Sequence, residues 1–72
     1  MEDYKIRFIK EYQELKYRYD KLCNIIDKYI SGCLEFNLSC PIELLQQQQI
    51  AMEKYLEILE ERAKIEKVNL EV

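Results

Sequence analysis

Between Tyr4 and Tyr29 an apolar or aromatic residue recurs at steps of three and four: Tyr4, Phe8, Tyr12, Leu15, Tyr19, Leu22, Ile26 and Tyr29. Spacing of this kind gathers the side chains on one face of an α-helix. Neither Gly nor Pro interrupts the run, and the residues between are mostly Lys, Arg, Glu and Asp. The reading predicts a helix over about residues 4–30, a rod of roughly 40 Å with one oily face. Glu2 and Asp3 place negative charge at its N-terminus, where the helix dipole favours it. Ser31-Gly32 is its stop, since Gly takes the left-handed conformation that closes a helix.

Such a rod needs a cover, and residues 31–40 lead to one. This connection is apolar for a loop: Leu34, Phe36 and Leu38 alternate with polar residues and are expected to fold back over the hairpin end. Ser39-Cys40-Pro41-Ile42-Glu43 then reads as a helix start, with Ser39 as cap and Pro41 in the first turn. The second helix is expected from 41 to about 68, with 69–72 a frayed tail. It carries two adjoining apolar rows, Leu45, Met52, Leu56, Leu59, Ala63 and Leu44, Ala51, Tyr55, Ile58, Ile65. One row can cover the first helix. The other has no partner within the chain, and a homo-oligomer is the ordinary way to bury it. The predicted fold is all-α: one domain over 1–72, an antiparallel two-helix hairpin assembling into a helical homo-oligomer.

Several function classes fall away. With 72 residues the chain is one small domain. It has no His, no CxxC pair and one glycine, so a usual zinc site, a His-dependent nucleophile and a glycine-rich phosphate loop all lack their residues. Cys23, Cys33 and Cys40 are an odd number in a chain without an export signal, which predicts free thiols. A metal- or redox-responsive switch through them is the rival reading. No apolar run suits a membrane span, and the chain is expected to be cytoplasmic. No pair of acids stands out as a general acid/base set, and no catalytic residue or cofactor is expected. Net charge is −3; residues 1–30 hold seven cations and six acids, residues 31–72 four and eight. Duplex nucleic acid is not an expected partner, because it requires a broad positive face.

A small anionic ligand held by chosen cations is compatible with this balance. Tyr4 stands beside Lys5 and Arg7, with Lys10 a turn on. A ring can stack on a base while a cation meets phosphate. The same group also reads as a core tyrosine with solvated charges. Arg62 interrupts the second apolar row, either pairing with a carboxylate or binding an anion. Gln46 to Gln49 is either a polar layer fixing register or a set of amides lining a site.

The pattern Tyr4-Lys5, Glu11, Leu15, Leu22, a short connection, then Leu45, Gln49, Met52, Tyr55, Leu59 and Arg62 resembles a group of small phage helical hairpins. That group includes the sponges that block CBASS immunity and shares its hairpin with the Thoeris antagonists. The resemblance covers nearly the whole chain. It implies a non-catalytic protein that sequesters cyclic di- or trinucleotides, or cyclic ADP-ribose-like signals, in the host cytoplasm. It also implies a compact homo-oligomer, commonly a hexamer, with ligands between subunits. Carried over residue by residue, Tyr4 stacks on a base and Lys21, after a shift of one or two positions, meets phosphate; Arg7, from the cations beside Tyr4, is expected to join it in neutralising phosphate. Arg62 serves a trinucleotide site from another subunit. The alternative function is a helical protein–protein interaction module without a small ligand.

Overall fold

The computed structural model describes residues 3–70, and Glu2 and the last two residues of the tail lie outside them. Two helices make up the regular structure among these residues: α1, Asp3–Ser31, and α2, Ile42–Glu66. They pack side by side in a rod of 45 × 18 × 18 Å. The expected helical hairpin is present.

α1 ends as expected. Gly32 sits at φ +77°, its N–H donates to the Tyr29 carbonyl at 3.1 Å, and the Cys33 N–H donates to the Lys28 carbonyl at 2.8 Å. This pair of bonds closes the last turn and satisfies carbonyls the helix would otherwise leave open. In the connection Leu34 and Leu38 are half-buried while Phe36 points outward. Two of the three loop apolars therefore cover the hairpin end.

The start of α2 departs from expectation. Pro41 itself is the N-cap, no side chain caps the helix, and the first turn is held by the Leu44 N–H on the Pro41 carbonyl at 3.1 Å. Ser39 lies two residues outside the helix and caps nothing.

The end of α2 also differs. The helix stops at Glu66 because Lys67 turns left-handed at φ 59°. The Val68 N–H then bonds the Ala63 carbonyl at 2.8 Å, and the Val68 side chain is buried against Ala63, Phe8 and Leu59. Leu70 packs on the same cluster, so the described part of the tail is docked rather than frayed. Burial of two apolar side chains outweighs one strained backbone residue. Lys67→Gly keeps the turn and removes that strain; it is expected to raise stability by about 0.5–1 kcal/mol in urea denaturation.

The inward faces are the predicted ones. Phe8, Leu22 and Ile26 of α1 meet Leu56, Leu59 and Ala63 of α2. Tyr29, the last residue of the α1 stripe, is exposed at the loop end. The densest packing lies at the other end, where Phe8, Leu59, Ala63 and Val68 cluster under Ile9, Tyr12, Leu15 and Leu70. Across the helices Gln49 donates to the Cys23 sulfur at 3.1 Å, a polar contact of the register-fixing kind. The three thiols are free.

Candidate functional site

The antiparallel register brings the start of α1 beside the end of α2. There the Arg62 guanidinium lies over the Phe8 ring, 4.6 Å from its centroid. Arg62 Nη2 donates to the Tyr4 hydroxyl at 3.3 Å, and Arg62 Nε pairs with Glu66 at 3.2 Å. The Tyr4 ring stands edge-on to Phe8, with centroids 6.2 Å apart and planes at 85°. The buried Phe8 is thus a platform for one exposed aromatic and one exposed cation. Its π-face attracts the guanidinium, which fixes a planar fork at the surface. Two residues 58 positions apart in the chain form one aromatic–cation unit.

On the same side of the hairpin a groove of about 290 Å³ runs along α1. It is lined by Arg7, Lys10, Glu11, Glu14, Leu15, Arg18 and Tyr55, three cations against two carboxylates. Glu11 accepts a hydrogen bond from the Tyr55 hydroxyl across the helices. That bond, first, and then desolvation hold the Tyr55 hydroxyl protonated to higher pH than an ordinary tyrosine.

Lys21 is elsewhere. It lies seventeen residues beyond Tyr4, about 26 Å along the helix. Its Nζ sits over the exposed Tyr17 ring at 5.2 Å, a second aromatic–cation pair. The structure therefore joins Tyr4 with Arg62, puts Arg7 in the adjacent groove, and keeps Lys21 apart within one copy.

Sequence reasoning missed Arg18 and the pairing of Tyr17 with Lys21. Arg7, Glu11, Glu14 and Arg18 fall at steps of four, three and four, the spacing that marks one helix face. A charged stripe can be read that way as readily as an apolar one.

Among the described residues no group of three His, Cys, Asp or Glu is placed to hold a metal ion. No described helix is long and apolar enough to cross a membrane. The surface offers a shallow face with aromatic rings, three cations and two carboxylates. The family model that matches residues 2–65 is described as Sequestin, a name that speaks of sequestration. No curated protein matches the chain. No solved structure matches it either.

Proposed function

The chain belongs to the Sequestin family, and on that premise we propose that it is a phage anti-defence sponge, a single hairpin domain over 1–72. It binds cyclic di- or trinucleotides, or cyclic ADP-ribose-like signals, and withholds them from host effectors in the cytoplasm. It works as a homo-oligomer, of the hexameric kind the resemblance implies, and converts nothing. In this reading Tyr4 stacks on a base, Arg62 and Arg7 meet phosphate, and Lys21 meets phosphate from another copy. The observation that carries it is the Arg62–Tyr4 contact on the Phe8 platform. Base stacking and a fork-shaped cation are the two contacts a cyclic nucleotide needs, and both are exposed.

Titration of a panel of cyclic di- and trinucleotides into the parent, Tyr4→Ala and Lys21→Ala tests the assignment. Loss of a stacked base costs about 1–3 kcal/mol, so Tyr4→Ala should weaken binding roughly 5- to 150-fold. Lys21→Ala should weaken it in the same direction. Variants that bind as the parent does would remove both residues from the site.

A further inference from the structure

Lys67 holds the left-handed conformation at φ 59°, a strained state for a residue with a Cβ. Strain of this kind persists only where the surroundings over-determine it, and it gathers at binding sites. The surroundings of Lys67 can be named. Tyr4 is level with Arg62 across the hairpin, and α1 begins at Asp3. A helix continuing past Glu66 would run beyond the start of α1 with nothing to pack on. It would also carry Val68 about 140° round the axis from Ala63, off the inward face. The turn at Lys67 sends the chain back instead. The Val68 N–H reaches the Ala63 carbonyl at 2.8 Å, and the Val68 side chain is 9% exposed within the Phe8 cluster. Leu70 packs on the same cluster, while Asn69 between them is exposed. Residues 67–70 are thus a short strap, tied down by two alternate apolar side chains.

The cluster that the strap joins is the base of the aromatic–cation unit. Phe8 is 3% exposed although it stands near the terminal end of the hairpin, where a side chain ordinarily meets water. Leu59, Ala63 and Val68 enclose it, and the Arg62 guanidinium lies over its ring. The same turn fixes where α2 stops, at Glu66, whose carboxylate pairs with Arg62 Nε at 3.2 Å. One turn of chain therefore sets both supports of the guanidinium, the ring beneath it and the carboxylate beside it. An unsupported surface arginine samples many rotamers, and a ligand that needs one of them must remove that freedom on binding. A side chain already held has less to lose.

We infer that Val68, together with Leu70, is a positioning residue for the candidate site: it holds Phe8 and the end of α2 so that the Arg62 fork is set before an anionic ligand arrives. The strap acts through Arg62 and not by touching the ligand. It lies beyond the residues 2–65 that the family match covers. The effect on binding rests on the sequestration reading; the strap's hold on the fork does not.

The test pairs a ligand-free measurement with a binding one. Val68→Ala, and Val68→Ser combined with Leu70→Ser, loosen the strap. Ile26→Ala removes a buried side chain at the loop end and controls for lost stability alone. Proton NMR of the free protein reads the Arg62 side-chain resonances, assigned by their absence from Arg62→Lys. In the parent the Phe8 ring current displaces them from the shifts of a free arginine. The strap variants should return them towards those shifts while helicity by circular dichroism is retained, and Ile26→Ala should leave them displaced. In titrations with the cyclic nucleotide panel, the doubly substituted strap should weaken binding roughly 3- to 30-fold. With Arg62→Ala already present, the same strap change should cost at most about 2-fold, because the group it positions is gone. Arg62 resonances that stay displaced in the strap variants, an equal return in Ile26→Ala, strap variants that bind as the parent does, or the full strap penalty without the Arg62 guanidinium would overturn the proposal. A parent that binds none of the panel, with Arg62 resonances that return when the strap is loosened, removes the sequestration reading and upholds the strap's hold on the fork.

Discussion

Leu59→Ala is expected to cost about 2–5 kcal/mol, a large share of what a hairpin of this size holds. Among the described residues Leu59 is the one large side chain that is essentially sealed, at 1% exposure, and it joins α2 to Phe8 on α1 and to Val68 after the turn. Its removal leaves a void that three elements would have to close at once. Chains of 72 residues hold roughly 4–11 kcal/mol in total. The variant should therefore be partly unfolded at mild urea concentrations where the parent is intact. The comparison belongs at one protomer concentration, since association would add to apparent stability. A loss below about 1 kcal/mol would mean that Leu59 does not sit in the packed centre described here.

Arg62→Ala has the second large expected effect, and it falls on binding rather than folding. A charge-assisted hydrogen bond contributes about 1.5–3 kcal/mol, so affinity for the cyclic nucleotide should fall roughly 10- to 150-fold. Thermal stability should change little. Arg62 is exposed, and its contacts with Phe8 and Glu66 are each worth about 1 kcal/mol or less at the surface. Arg62→Lys keeps the charge but not the planar fork, and should recover part of the affinity. Unchanged affinity in Arg62→Ala would take Arg62 out of the site.

The hairpin was legible in the spacing of its apolar residues. Phe8, Leu22 and Ile26 point inward because they share the stripe that a helix needs to bury, and Leu56, Leu59 and Ala63 answer them. The doubled row of α2 was equally plain, and Tyr55, Ile58 and Ile65 stay exposed because no third helix exists in the described residues to cover them. The ends of α2 were harder to read. A stop at Lys67 carries no glycine, and it arises from the pull of Val68 and Leu70 into the Phe8 cluster, a contact remote in sequence. Pro41 rather than Ser39 opens the helix, because the proline ring already fixes the entry angle.

The candidate site was legible residue by residue but not as a constellation. Tyr4 beside cations and Arg62 within an apolar row each stand out alone. Their meeting depends on the hairpin register, which cross-helix pairs such as Gln49 with Cys23 and Tyr55 with Glu11 help to set. Arg18 went unread because a lone arginine among Lys, Glu and Asp looks like ordinary solvated charge. Only the packing of Tyr55 over that face turns the charges into a groove.

The most direct test of sequestration is native mass spectrometry of the intact protein, alone and with a panel of cyclic di- and trinucleotides. Sequestration predicts a symmetric oligomer that gains whole-number ligand masses, and ligand of unchanged mass recovered after denaturation. An oligomer that gains no ligand mass, or ligand recovered as a hydrolysed product, would contradict it.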